Sequence, residues 1–334
     1  MILKIIFLIL FSSIIYLISV KNKFFLDVVN ISSHKVFVEN KKNTPLVGGL
    51  IVFFSILLFI DLDVFKLIAL TLIIFLGIFS DLNIISNASK RFLIQFIIIF
   101  FFFYFSEIKI VDTRIEVLNN LLSIPLFSLI FCSFCVMILI NGFNFIDGLN
   151  GLALGYFMIL LTNIIFLSNI FYETSIFLNN FNFIIIQLLI LLFILSGVFF
   201  LGDSGSYLIG FILGIQIISI NFYQPFISPY YLILLIWYPC FEVLFSFLRK
   251  SMFKKSPFEP DTNHLHQLLY LKLKNTLKPL YANSSASIII LLYNLIVILY
   301  AKKFLFDSTI CILILFMNVI IYLLSYYLLN KKSV

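Results

Sequence analysis

Charge is what this sequence has least of. Only 11% of its residues are Asp, Glu, Lys or Arg, against roughly 25% in an ordinary soluble domain, and that deficit excludes a fully solvated globular surface. Cysteine is scarce too: Cys132, Cys135, Cys240 and Cys311 are the four. The Cys132-Ser133-Phe134-Cys135 spacing has neither a second pair nor a nearby histidine, and a zinc site would want both, so the thiols read as small core residues. No repeat of the whole unit and no soluble domain stand out. What fills the chain is apolar: 63% hydrophobic residues, 43 Phe and a mean hydropathy of +1.17. This composition is that of an integral membrane protein.

A bilayer core takes about 20 apolar residues per helix. Runs of that kind predict eleven spans, near 2–20, 45–62, 65–80, 91–106, 122–141, 150–168, 181–201, 205–221, 229–248, 285–301 and 306–330. The runs are continuous rather than alternating, and a helix satisfies its own backbone in lipid. The expected fold is therefore all-α, a polytopic membrane helix bundle forming one domain over residues 1–334. The first run lacks a clear small-residue cleavage site and is followed by further spans, so it reads as a signal anchor. The longest non-membrane stretch, 249–284, carries Ser256-Pro257-Phe258-Glu259-Pro260 and is expected to be a loop with a short helix.

Lys and Arg counts orient the bundle. Sixteen of the 22 fall on the side that receives the loops near 21–44, 81–90, 142–149, 202–204 and 249–284 and the C-terminus, and six fall on the other. That puts the N-terminus in the periplasm and the C-terminus in the cytoplasm. Topology and attraction to anionic lipid, about 1 kcal/mol per surface residue, account for the basic excess, so no nucleic-acid partner is called for.

The few polar signatures fall into five groups, all on the side assigned to the cytoplasm. Thr44-Pro45-Leu46-Val47-Gly48-Gly49 opens the second span, preceded by Lys41 and Lys42. Proline suits a first helical turn, glycine admits close approach of backbone or ligand, and a lysine can meet a phosphate as a point charge. Asp81 ends the third span after Gly77, at a depth where an ionisable group is a functional candidate. The segment Asn141-Gly142-Phe143-Asn144-Phe145-Ile146-Asp147-Gly148-Leu149-Asn150-Gly151 gathers amides, a carboxylate and glycines of the kind that read a base, ribose or phosphate, or that build a turn. Gly202-Asp203-Ser204-Gly205-Ser206 heads the next-but-one span, where a carboxylate can cap the helix and amides such as that of Gly205 can bind anions. Asp261-Thr262-Asn263-His264-Leu265-His266-Gln267 carries two of the three histidines, suited to phosphate contact or metal ligation.

In order and in setting these motifs resemble one family, the polyprenyl-phosphate N-acetylhexosamine-1-phosphate transferases, whose superfamily includes phospho-N-acetylmuramoyl-pentapeptide transferase. The resemblance runs from Thr44 to His266. The Asp261 to His266 segment is more similar to the hexosamine-phosphate branch than to the muramoyl-pentapeptide branch, where three histidines run together. The resemblance implies attack by a polyprenyl (undecaprenyl) phosphate oxygen on the β-phosphate of a UDP-sugar, releasing UMP and giving a lipid-linked sugar pyrophosphate for cell-envelope glycan synthesis. It also implies Mg²⁺, with Mn²⁺ as a substitute, a multi-pass protein of the bacterial inner membrane with its site facing the cytoplasm, and a homodimer as one oligomeric option.

Carried over residue by residue, the resemblance makes Asp203 the metal ligand, with Asp81 positioning the metal or the lipid phosphate. Asn141, Asn144 and Asp147 go to the nucleotide, His264 and His266 to the diphosphate, and Lys41 or Lys42 to phosphates or uridine, Lys42 as a catalytic candidate. Gly205 and Arg249, the latter at the end of the ninth span, join the substrate-binding set. Three positions depart from the family pattern: Ser80 stands in an Asp-Asp pair, Asn150 replaces a usual acid, and Gln267 replaces a common histidine. These departures leave a silent member that binds nucleotide or lipid as the alternative. A transporter fits less well, since it would place ionisable groups near the midplane and often show a repeat.

Overall fold

The computed structural model describes residues 2–23, 25–27, 44–170, 181–254, 256 and 262–330. Lys41, Lys42 and Asp261 lie outside these described residues. Within them the helices are α1 (Ile2–Asn22), α2 (Gly48–Phe59), α3 (Val64–Asp81), α4 (Ala88–Ser106), α5 (Glu116–Leu122), α6 (Pro125–Ile146), α7 (Leu152–Ile170), α8 (Phe181–Leu195), α9 (Gly202–Tyr223), α10 (Pro229–Met252), α11 (Leu265–Lys274), α12 (Pro279–Ala301) and α13 (Ser308–Asn330). A minimal antiparallel pair, β1 (Leu26–Asp27) and β2 (Thr44–Pro45), sets Leu26 opposite Pro45.

Every run expected to span coincides with a helix. Among the described residues eight helices are long and apolar enough to cross a membrane, and Gly48–Phe59, Leu152–Leu167 and Asn182–Leu195 are shorter apolar helices. The protein is thus an all-α, multi-pass membrane protein. The short helix expected within 249–284 is α11; α5 was not expected.

Helix starts follow local chemistry. Asp63 accepts the Lys66 amide at 2.8 Å to cap α3, and Asn87 accepts those of Ser89 and Lys90 at 2.9 and 3.3 Å to cap α4, each satisfying donors that have no partner inside the helix. Proline occupies the first turn of α6, α10 and α12, where its missing N–H costs nothing. Inside α10, Pro239 withholds an N–H from the preceding turn. The Tyr156 hydroxyl donates instead to the Leu235 carbonyl at 2.8 Å, so a buried acceptor is not left bare in an apolar setting.

Helix α9 is the axis of the bundle, with α2, α3 and α6 packed around it. Every residue from Ser204 to Asn221 is buried. Such enclosure needs thin contact faces. A Cβ on Gly49 would lie 2.3 Å from the Gly205 nitrogen, one on Gly77 would lie 2.3 Å from Ser204 Cα, and one on Gly210 would lie 2.7 Å from Ile140 Cα. Glycine at these positions lets α2, α3 and α6 bring their motif-bearing ends against the head of α9.

Candidate active site

The head of α9 is assembled by backbone pairing across the chain. The Phe200 amide donates to the Pro45 carbonyl at 2.8 Å, and the Gly48 and Gly49 amides donate to the Phe200 and Leu201 carbonyls, each at 2.9 Å. The Thr44 to Gly49 motif is therefore a splint for Gly202 to Ser206. Gly202 adopts φ +76°, a left-handed conformation glycine takes without strain, and a Cβ there would meet Asp81 Oδ2 at 2.8 Å.

Asp81 reaches across from α3. Its Oδ1 accepts the Asp203 amide at 2.8 Å and its Oδ2 the Ser204 amide at 3.0 Å. The sequence reading made Asp203 a candidate cap for α9; these two bonds come from Asp81 instead. A carboxylate on the positive end of a helix is favoured by the helix dipole and by charge-assisted hydrogen bonds.

The Asp203 side chain is thereby turned to gather three other elements. Oδ2 accepts the Ser80 hydroxyl at 2.5 Å and Arg91 Nη1 at 3.1 Å, and Oδ1 accepts Asn144 Nδ2 at 2.8 Å. Arg91 also donates to the Ser80 hydroxyl, and Asn144 to that of Ser206 at 3.3 Å. Arg91 and Asp203 side chains are each 25% exposed, so the pair is neither fully screened nor sealed from an incoming ligand. Gly205, in the same first turn, is buried against Gly49.

The end of α6 links this cluster to a second one. Asn144 touches Asp203, the Phe145 ring meets that of His264 edge-on at 5.1 Å, and a Cβ on Gly148 would lie 3.3 Å from His266 Nε2. Asp147 caps α6 and lines a narrow cleft with Asn150, Leu201 and Ile194. His264 and His266 stack at 5.5 Å. Burial is the largest influence on His266 and pushes its pKa below the ordinary 6.5, partly offset by the hydrogen bond and charge of Glu242.

Other expected residues sit at the margin. Asn141, one turn deeper, donates to Gln95 Oε1 at 3.1 Å and to the Met137 carbonyl at 2.8 Å, joining α4 to α6. Arg249 donates to the Asn263 carbonyl and, at 2.8 Å, to the Tyr326 hydroxyl, holding the histidine segment against α10 and α13. One departure from the family pattern acquires structural work, since Gln267 Oε1 accepts the His264 amide at 3.3 Å at the start of α11; at Asn150 it is the backbone N–H that donates to Asn283 Oδ1 at 2.7 Å.

Sequence reasoning missed Arg91, counted there only as a topological charge, and Glu242. The latter carried its own signal, a carboxylate deep within an expected span.

Among the described residues no group of three or more His, Cys, Asp or Glu is arranged to hold a metal ion. The donor set does suit Mg²⁺, which takes one or two carboxylates together with substrate phosphates and water. Asp203 and Asp81 are two hard-oxygen donors meeting at the head of α9. Nearby stand a fixed guanidinium and amide and imidazole groups, an arrangement able to receive a phosphorylated ligand.

A polytopic helical protein with a polar, charge-paired site at one end of its bundle is the class that fold and site define. Residues 64–221 match the model of glycosyl transferase family 4. The undecaprenyl-phosphate α-N-acetylglucosaminyl 1-phosphate transferase of Thermotoga maritima is 28% identical over 230 residues, 69% of each chain. The decaprenyl-phosphate N-acetylglucosaminephosphotransferase of Mycolicibacterium smegmatis is 29% identical over 39% of this chain and 37% of its own length. These likenesses support the polyprenyl-phosphate N-acetylhexosamine-1-phosphate transferase family for this chain.

Proposed function

We propose that this protein transfers a sugar-1-phosphate, an N-acetylhexosamine or a derivative of one, from a UDP-sugar to polyprenyl phosphate. The observation that carries the reading is the convergence on Asp203 of Ser80, Arg91 and Asn144, from α3, α4 and α6, in a chain whose relatives are named for this transfer. A lipid phosphate oxygen attacks the β-phosphorus of the donor, the bond to the α-phosphate breaks, and UMP leaves. A phosphate monoester has a second pKa of about 6, so the acceptor is largely ionised near neutral pH and needs positioning and charge compensation more than a strong base. Ser80 in place of an acid is compatible with that demand.

Asp203 and Asp81 would hold Mg²⁺, which when bound supplies Lewis-acid neutralisation of the phosphates. Arg91 contributes a fixed positive charge beside Asp203, and in-place dipoles and charges of this kind stabilise phosphoryl transfer without reorganisation. Asn144 and Asp147 face the nucleotide side, and His264 and His266 the diphosphate. The lysine excess supports a cytoplasmic setting for this end of the bundle at the bacterial inner membrane, and eleven crossings would be made by α1–α4, α6–α10, α12 and α13.

Purified protein in lipid nanodiscs with undecaprenyl phosphate, Mg²⁺ and a panel of UDP-N-acetylhexosamines tests the reading. UMP release with at least one donor is expected. Binding of UDP-sugar without UMP release from any of them would replace transfer with a binding role.

A further inference from the structure

A carboxylate inside a membrane helix is costly and is retained where it does something. Glu242 lies in α10 and is fully buried. Its Oε2 stands 2.9 Å from His264 Nδ1, and its Oε1 stands 3.6 Å from His266 Nδ1. One side chain therefore faces the same nitrogen of both rings in the histidine segment, 22 residues from the first of them. The carboxylate reaches them because Arg249, two turns along α10, pins the Asn263 carbonyl and lays the start of α11 over the helix.

The other neighbours define how the rings are held. Phe145 meets the His264 ring edge-on, His266 stacks on it at 16°, and the Tyr238 hydroxyl lies 3.5 Å from His266 Nδ1. With both rings so confined, the partner of Nδ1 decides which ring nitrogen carries hydrogen. An ionised carboxylate can only accept. It therefore demands Nδ1–H of His264, and any contact this ring makes with substrate is made through Nε2. A carboxylate that orients an imidazole in this way fixes its tautomer and its direction without touching the reactants.

We propose that Glu242 is a positioning residue of the transferase site, fixing the orientation and Nδ1 hydrogen of His264, and more weakly of His266, so that both rings present Nε2 toward the phosphorylated substrate. The assignment of a substrate to those rings rests on the transfer reading above. The Glu242–His264 coupling does not.

Two measurements separate the two claims. The first is ¹⁵N NMR of histidine-labelled protein in nanodiscs, the ring-nitrogen signals of the three histidines being assigned by single substitutions at His34, His264 and His266. In the native protein His264 is expected in the Nδ1–H tautomer when neutral. In E242Q the new amide can donate as well as accept, and His264 is expected to populate both tautomers. A native His264 with a bare Nδ1 overturns the proposal, and that result needs neither a foldable variant nor an active enzyme.

The second measurement is UMP release. E242Q is expected to lower kcat about 10- to 100-fold, the usual cost of losing a ligand-orienting carboxylate, with KM for the UDP-sugar changed less than about threefold and E242D recovering part of the loss. Because Glu242 acts mainly through His264 and only weakly through His266, the double variant E242Q/H264Q should be less than about threefold slower than H264Q alone. Losses that multiply, or an E242Q enzyme with native kcat and native tautomers, would reduce Glu242 to packing. Absence of turnover in the native protein would remove the transfer reading and leave the NMR result to decide this one.

Discussion

The two ends of the bundle handle charge in opposite ways. At the end opposite the site, carboxylates find partners close by in sequence. Asp63 pairs with Lys66 at 2.6 Å, Asp112 with Arg114 at 3.1 Å, and Asp307 accepts the Ile310 amide at 3.1 Å to start α13. At the site end, Asp81 holds amides of α9, Arg91 reaches Asp203, and Glu242 reaches His264, over separations of 122, 112 and 22 residues. Local pairs cap helices and anchor loops, and they would form in almost any arrangement of the same helices. Long-range pairs exist only when the tertiary structure is correct, so they mark the end where geometry has been built for a purpose.

The sharpest way to break this comparison is Asp203→Asn. It retains the shape but removes the charge that Ser80, Arg91 and Asn144 surround, and UMP release is expected to fall by at least about 100-fold, the scale on which preorganised electrostatic groups act. An Asp203→Asn enzyme within a few fold of native turnover would mean that the convergence on Asp203 is structural.

A smaller effect is expected from acid. The His266 pKa lies below its ordinary value of 6.5 because the ring is buried, so below that pH the unfolded segment takes up a proton that the folded ring resists. Stability from this group is therefore complete above about pH 6.5 and falls as the pH drops through that value, until the folded ring itself protonates. The protection factors of α11 amides, each rate taken relative to its intrinsic rate at the same pH, should fall as the pH drops from about 7.5 to 5.5. Protection factors independent of pH would show that His266 opens and closes without a protonation cost.

The smallest effect belongs to the opposite end. Asp63→Ala removes the α3 cap and an ion pair in which Asp63 is 49% exposed. It is expected to cost about 1 kcal/mol of stability, measured by thermal unfolding, with UMP release unchanged. A loss of turnover there would show that the two ends are coupled through α3 and that the contrast is not one of independent regions.

Much of the molecule was legible beforehand because hydropathy is local. Every expected span became a helix, and Asp81, Asn144, Asp203, His264 and His266 were singled out as polar groups at span ends and in loops on one face of the bundle. The same locality hid other features. Glu242 is one acid among apolar residues until α11 folds over it, Arg91 is one more basic charge until α4 meets α9, and the bond from Asn141 to Gln95 is invisible until α4 lies beside α6. Capping was one option for Asp203 beside metal ligation, and the amides at that helix start are taken by Asp81 because Gly77 lets α3 approach the head of α9 so closely.

The sequence by itself determined that the chain is a helical membrane protein, where its helices lie, which few residues could carry chemistry and which family it resembles, since each of these depends on composition or on short patterns. Only the tertiary structure decided which of those residues meet. Pairing between carboxylates, amides, guanidinium and imidazole depends on distances of about 3 Å between elements whose paired residues lie 22 to 122 positions apart, and glycine contacts between helices, invisible as a periodic signal, help to set those distances.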